Sequence, residues 1–200
     1  MKKIALPLFA CLLMLTSALA VAQTPQRIRG TVSAFDGDVV SVKTREGEHV
    51  RLNLTDKTTI VYPMPIRLSD IKPGDFVGSA AVPDKDGKLV AREILLFPES
   101  GRGTGEGHYA WDLEPGATMT NANVAKMVQA NNGQELTLEY KGGSRQILVP
   151  EGIPIITPVP GDRSLFKRGA YIFAIAQPAP DGTLTAVRIY GEKDGVKPPM

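Results

Sequence analysis

The chain has little of what identifies most catalytic and metal-binding proteins. Its 200 residues include one cysteine, two histidines and one tryptophan. The cysteine, Cys11, lies in an apolar N-terminal run, so the rest of the chain has neither a disulfide nor thiol chemistry. Its stability must therefore come from packed apolar cores. No Ser-His-Asp order and no nucleophile elbow is recognisable, so the sequence does not predict an enzyme.

An excess of charge of one sign is also missing. The chain has 23 Lys and Arg residues, and without Lys2 and Lys3 the remaining 21 match 21 acidic residues. Because nucleic-acid-binding proteins show a basic excess or a basic stripe, no nucleic-acid partner is predicted. After the N-terminal run no apolar stretch reaches the roughly 20 residues that span a membrane, so the mature chain is predicted to have no transmembrane segment.

The N-terminus has the pattern of a cleavable secretory signal. Two lysines precede an apolar run over residues 4–15, and small residues at 18, 20 and 22 offer sites to a signal peptidase. We expect residues 1–22 to be removed, which places the mature protein in the periplasm with Gln23 first. The alternatives are an uncleaved anchor, for which the apolar run is short, and a lipoprotein attached at Cys11, which the bulky Phe9 disfavours.

The remaining chain contains the same pattern twice. Residues 52–94 align with residues 147–189 without a gap, and upstream of this window a shift of one more residue pairs Val32 with Val128 and Gly37 with Gly133. Convergence on similar turns would not keep an ungapped register, so we infer a duplicated unit. Residues that both copies share are expected to serve the fold, and residues found in one copy are better candidates for function. The identical pairs within the window include Ile60/Ile155, Pro63/Pro158, Pro65/Pro160, Gly74/Gly169, Ala81/Ala176, Ala91/Ala186 and Ile94/Ile189.

Each copy has the pattern of about five short strands separated by turns. A single helical turn is expected near residues 68–72, and residues 121–130 are predicted to be a strand because they align with the first strand of the other copy. Five strands with one long connection before the fourth suit a small closed barrel of the OB-like or SH3-like kind. The predicted fold is all-β, with two tandem five-stranded barrels. The predicted boundaries are 27–98 for the first barrel, 99–123 for a Gly-rich linker, 124–192 for the second barrel and 193–200 for a flexible tail.

The linker contains the best candidate for a site. Aromatic rings beside a carboxylate and an imidazole can stack on a sugar or a flat ligand and bind its rim by hydrogen bonds. The alternative is that Tyr109 and Trp111 only dock the linker and fix the orientation of the barrels. A partly exposed Trp111 favours the ligand, and a Trp111 buried between the barrels favours a protein-assembly role. The candidate contacts are Arg102, His108, Tyr109, Trp111, Asp112 and Tyr62. Tyr62 directly precedes Pro63-Met64-Pro65, the first of two P-x-P segments, of which the second is Pro158-Val159-Pro160.

Metal and phosphate sites have less support. Glu106, His108 and Asp112 offer oxygen and nitrogen ligands, but the other histidine, His49, is distant in sequence. The glycines at 101–107 lack the lysine and the strand–loop–helix context of a phosphate-binding loop. Neither a metal nor a cofactor is predicted.

Three segments of the first copy stand out, and they begin at Gly30, Ser69 and Asp86: G-T-V-S-A-F-D-G-D-V-V-S-V, S-D-I-K-P-G-D-F-V and D-G-K-L-V-A-R-E-I. Together they resemble a family of exported bacterial β domains catalogued as domain of unknown function 5666. The resemblance covers residues 28–96 and, in diverged form, the second copy. It implies an OB-like barrel and export, and it supplies no catalytic residues. Some similar sequences are labelled metal-transporter permeases, which leaves open an accessory role beside a transporter.

The function that the sequence predicts is a periplasmic, non-enzymatic binding or scaffold protein. Its partner is expected to be an envelope protein or a small polar ligand. Two alternatives remain: a metal-handling or transporter-accessory protein of the cell envelope, and a glycan-active enzyme.

Overall fold

The computed structural model describes residues 24–131, 133–179 and 181–198, and within these ranges the regular structure is β-strand with three short 3-10 turns. The expected signal peptide lies outside the described residues. None of the described residues belongs to a helix long and apolar enough to cross a membrane. The strands are β1 (Gln26–Phe35), β2 (Val39–Thr44), β3 (His49–Asn53), β4 (Thr59–Pro65), β5 (Phe76–Pro83), β6 (Leu89–Leu96), β7 (Gly107–Ala110), β8 (Thr118–Ala130), β9 (Gly133–Tyr140), β10 (Gly143–Val149), β11 (Ile155–Pro160), β12 (Tyr171–Pro178) and β13 (Leu184–Gly191). The 3-10 turns are Leu68–Asp70, Glu99–Gly101 and Arg163–Leu165.

Ten of these strands close into two five-stranded rings. The first barrel contains β1, β2, β3, β12 and β13, and it closes where Leu52 of β3 lies opposite Leu184 of β13. The second barrel contains β5, β6, β8, β9 and β10, and it closes where Ile147 of β10 lies opposite Leu89 of β6. The two closing pairs occupy equivalent positions of the repeats, so the duplication in sequence is also a duplication in structure.

Each barrel takes strands from both repeats. In the first barrel β1–β3 of the first repeat pair with the β12–β13 hairpin of the second, and in the second barrel β8–β10 pair with the β5–β6 hairpin of the first. The all-β class is therefore confirmed, but two tandem barrels over 27–98 and 124–192 are not what forms. The physical reason is that the two hairpins carry the same apolar pattern, so that either hairpin can fill either barrel.

The two repeats meet at the P-x-P segments. Pro63 of β4 lies opposite Pro158 of β11, and equivalent residues face each other in this way only at a two-fold axis. Neither proline has an N–H to donate, so they occupy a non-hydrogen-bonded pair. β4 continues into the first barrel beside β13, and β11 continues into the second beside β6. The P-x-P segments thus join the barrels to each other.

Three apolar cores hold the molecule together: one in each barrel and a third between them. β5 and β12 contribute to a barrel core with one face and to the third core with the other, which explains why neither strand contains a charged residue. Burying both faces of these strands ties the barrels together. The buried members of the third core are Val61, Ala80, Leu95, Met119, Ile156, Phe173 and Tyr190, and its half-buried members are Phe97, Tyr109, Trp111, Leu113 and Ile175.

The alignment upstream of residue 52 differs from the prediction. A β-bulge follows Val32 in β1 and Val124 in β8, and the paired strands show that these two residues are equivalent. Val128 is therefore not the counterpart of Val32, because the β8–β9 hairpin is longer and continues to Ala130 opposite Gly133. The strand predicted over 121–130 is confirmed as part of β8.

The segment between the repeats is structured. Residues 99–123 contain a 3-10 turn, β7 and the start of β8, and β7 pairs with β8 from Gly107 opposite Asn121 to Ala110 opposite Thr118. The Gly-rich linker is thus an additional strand and a loop that cover the third core. At the other end, Lys193 forms a bridge with Val196, so the described part of the tail begins with a closed turn.

Candidate ligand-binding site

A cavity of about 260 Å³ lies in the third core, between the two barrels. An engineered protein cavity of about 150 Å³ already accepts benzene, so this space suits a molecule of one or two rings. We call it the inter-barrel cavity. Its aromatic wall consists of Phe97, Tyr109, Trp111, Phe173 and Tyr190.

Two rows of side chains on the first barrel face the third core. Arg27, Ile175 and Arg188 lie opposite one another on β1, β12 and β13. Arg29, Phe173 and Tyr190 form the next row on the same three strands. Neighbouring strands are about 4.8 Å apart, so the two arginines of the first row flank Ile175 on the cavity wall.

The equivalent rows on the second barrel carry different residues. The row equivalent to the one with Arg27 and Arg188 consists of Met119, Ala80 and Glu93. The row equivalent to the one with Arg29 consists of Asn121, Gly78 and Leu95. Gly78 allows the Asn121 amide to lie close against β5, because a Cβ atom at this position would lie 2.7 Å from Asn121 Oδ1.

Several positions at which the two repeats differ therefore lie in the cavity wall. Identical pairs such as Ala81/Ala176 and Ile94/Ile189 lie instead inside the barrels. The divergent positions are those expected to carry function rather than to maintain the fold.

The segment between the repeats supplies the fourth side of the cavity. Tyr109 of β7 and Trp111 just after it pack edge to face, with ring centroids 6.2 Å apart. The guanidinium of Arg27 lies 4.0 Å from the centroid of the Trp111 ring, a cation–π contact. Trp111 is half-buried, so it is placed both to pack against the barrels and to contact a ligand.

An ion pair between the buried Arg29 and the exposed Asp112 fixes this segment to the first barrel. Arg29 has 4% of its side chain exposed and donates from Nη2 to Asp112 Oδ1 at 2.9 Å, and Arg27 Nη1 lies 3.7 Å from Asp112 Oδ2. Burial opposes ionisation of Asp112, but the hydrogen bond and charge of Arg29 outweigh it and hold the pKa of Asp112 below its usual value. Asp112 is thus a carboxylate at neutral pH and balances part of the arginine charge.

Two buried polar atoms at the cavity lack a hydrogen-bond partner among the described residues, Asn121 Oδ1 and Trp111 Nε1. The other end of the Asn121 amide is fully used, since Nδ2 donates to Thr104 O at 3.0 Å and to the Tyr109 hydroxyl at 3.2 Å. Buried polar groups are nearly always hydrogen-bonded. Both atoms are covered by surrounding protein atoms, so they are unsatisfied groups within the wall rather than groups open to the cavity.

Glu93 is the buried acid of the third core. It is 2% exposed, and its Oε1 has no hydrogen-bond partner among the described residues. Burial raises the pKa of Glu93 to about 8, although the charge of Arg29 opposes the rise. The carboxyl group is therefore protonated and uncharged at neutral pH.

Three other residues predicted from the sequence do not line the cavity. Arg102 forms an ion pair with Glu99 at 2.7 Å and holds the loop of residues 99–106. His108 Nδ1 and Thr120 Oγ1 share a hydrogen bond of 2.8 Å, and burial, aided by the charge of Arg145, lowers the pKa of His108. The ring of Tyr62 packs against the core of the first barrel.

The candidate metal ligands are not brought together. Glu106 Oε1 accepts a hydrogen bond from the backbone N–H of Lys141, and His49 lies exposed on β3. In the part of the chain that the structure describes, no group of three or more His, Cys, Asp or Glu side chains is arranged to hold a metal ion.

Only two of the six candidate contacts, Tyr109 and Trp111, line the cavity. Sequence reasoning did not single out Arg27, Asn121 or Arg188. The repeat alignment contained a signal for part of the site, because Glu93 of the first copy aligns with Arg188 of the second, a residue of opposite charge. Positions at which the two copies differ in charge or size mark the cavity wall.

A scan against protein-family models, a search of curated proteins and a search of solved structures each returned no match.

Removal of the Asp112 carboxylate is expected to destabilise the fold. Asp112→Ala leaves Arg29 buried without its partner, and because Asp112 is 45% exposed we expect a loss of about 2–3 kcal/mol, read as a lower thermal midpoint and a red-shifted Trp111 emission. The control is Asp38→Ala, which removes a surface partner of Arg163 and should cost at most about 1 kcal/mol. Equal losses in both variants would show that the ion pair does not fix the segment.

Proposed function

We propose that the protein is an exported, periplasmic and non-enzymatic binding protein, which holds a small and mainly apolar molecule in the inter-barrel cavity. Export rests on the N-terminal pattern, and we also propose that the resemblance to the exported β domains reflects common ancestry. The observation that carries the binding role is a cavity of about 260 Å³ whose wall is mostly apolar and includes five aromatic side chains.

The chemistry of the wall supports an apolar ligand more than the polar ligand or glycan expected from the sequence. Phe97, Phe173 and Leu95 offer no hydrogen bonds, and the few polar groups lie at separate points of the wall. Small-molecule sites commonly have this composition, with apolar walls and a few polar groups that set orientation. The half-buried Trp111 fits the ligand-binding alternative better than a purely structural role.

A two-ring neutral probe tests this proposal. We expect 2-naphthamide to bind the mature chain with a Kd on the order of 1 mM, which corresponds to a ligand efficiency of about 0.3 kcal/mol per heavy atom. Isothermal titration calorimetry measures the affinity. Gly78→Val should weaken binding at least 10-fold, because its side chain fills the space beside Asn121 and Phe97, while a β-branched residue suits the strand.

The matched control for this variant is Gly143→Val. Gly143 is also a strand glycine, but it is exposed on β10 and does not line the cavity. Its affinity should remain within two-fold of that of the parent chain. No detectable binding of the probe, or equal affinities in the two valine variants, would contradict the proposed function.

A further inference from the structure

Arg188 places a positive charge in the cavity wall, where its polar partner among the described residues is the neutral Tyr190 hydroxyl. Its side chain is half-buried, and none of the Asp and Glu residues that the structure describes forms an ion pair with it. A guanidinium remains charged at any physiological pH. A positive charge in a mostly apolar wall is stabilised best by an anionic group of the ligand, because the attraction between opposite charges is stronger where water is excluded.

The surrounding charges do not cancel that of Arg188. Arg27 and Arg29 already share one carboxylate, Asp112. The other acid of the third core, Glu93, is protonated at neutral pH because burial raises its pKa. Arg27 and Arg188 thus line the cavity, and Asp112 balances charge only at Arg27 and Arg29.

We infer that the ligand is an apolar acid, a molecule of one or two rings with a single carboxylate that pairs with Arg188. This inference rests on the proposed function and specifies its ligand class. The planar guanidinium fork suits the two oxygens of a carboxylate. The ring body would lie against Phe173 and Trp111, so one molecule satisfies both the charge and the aromatic wall.

One neutral donor of the wall fits the same class. The Tyr109 hydroxyl accepts from Asn121 Nδ2, so that its own proton is free to be donated. Burial raises the pKa of Tyr109, so the hydroxyl keeps that proton.

A pair of isosteric probes separates charge from shape. 2-Naphthoate and 2-naphthamide have the same rings and differ by a carboxylate and a neutral amide. We expect the parent chain to bind the carboxylate at least 10-fold more tightly by calorimetry at pH 7, and the preference should shrink as salt is added. Arg188→Gln should abolish the preference but keep the affinity for the amide within about two-fold.

The affinity for the amide reports on folding and on the cavity in every variant. Arg168→Gln, at an exposed arginine away from the cavity, should leave both affinities unchanged. Equal binding of the two probes, or a carboxylate preference that survives in Arg188→Gln, would overturn the inference and leave the proposed function standing. Failure of both probes to bind would overturn the proposed function itself.

Discussion

A cysteine pair that replaces Asn53 and Thr185 is expected to form a disulfide spontaneously in air. The two residues belong to different repeats and lie opposite each other where β3 closes on β13. Paired strands bring Cα atoms to about 5 Å, within the range of a disulfide. Closure of such a long loop should stabilise the fold by about 4–5 kcal/mol in the chain-entropy account, measured by urea denaturation with and without reductant.

The duplication allows a control in which only the pairing differs. Leu148 and Val90 are the equivalent pair in the second barrel and should also cross-link. Two control variants carry cysteines at Asn53 and Val90 or at Leu148 and Thr185. These positions would meet only if each repeat closed its own barrel, so the cysteines should remain free thiols. Residues 23–200 contain no cysteine of their own, so in a protein that begins at Gln23 thiol titration reads each pair directly. Cross-links within the repeats would contradict the exchange of hairpins.

The sequence predicted the local structure well because local structure depends on local chemistry. The helical turn near residue 68 was predicted, and the strand over 121–130 was inferred from the repeat alone. The choice of partner strands was not predictable in the same way. Leu89 and Leu184 occur in hairpins with the same apolar pattern, so closing within a repeat and closing between repeats bury the same types of side chain.

The exchange of hairpins between the two repeats is accompanied by a particular path of the chain through the P-x-P segments. β4 runs beside β13 of the first barrel and pairs with β11 where Pro63 lies opposite Pro158. The chain then continues into β5, which belongs to the second barrel. In the sequence these prolines stand out only as identical pairs of the repeat. Their role at the axis follows from long-range pairing, which no short-range pattern encodes.

The candidate site was predictable only in its linker half. Trp111 and Tyr109 were recognisable because they are rare side chains beside a glycine-rich run. Arg27 and Arg188 are far apart in the chain and resemble ordinary surface arginines until β1, β12 and β13 are placed side by side. Their joint position on one wall is a consequence of the hairpin exchange.

Replacement of Glu93 by glutamine is expected to stabilise the protein at alkaline pH by as much as about 4–5 kcal/mol. The pKa of Glu93 is about 8 in the folded protein, against an ordinary value of 4.5 for an exposed glutamate. Each unit of difference corresponds to about 1.4 kcal/mol. The cause is burial, since the side chain is 2% exposed and the charge of Arg29 compensates only in part.

The sign of the effect follows from where the proton is held. Between pH 4.5 and 8 the folded protein keeps the proton of Glu93, whereas the unfolded chain has released it. Folding is then coupled to proton uptake, so the contribution of Glu93 to stability falls as the pH rises through this window and is lost above it. Glutamine keeps the shape of the protonated acid without titrating. The two proteins should therefore be about equally stable near pH 5 and diverge steadily up to about pH 8.

Urea denaturation of the parent chain and Glu93→Gln from pH 5 to pH 9 measures this divergence. Glu139→Gln, at an exposed glutamate of β9, is the matched control and should follow the profile of the parent chain. Parallel profiles for the parent and Glu93→Gln would mean that Glu93 is ionised throughout, with its charge balanced by Arg29. The arginines around the cavity would then carry less excess charge, and the case for an acidic ligand would weaken with it. The stability profile of this one variant thus also tests the electrostatic basis of ligand selection.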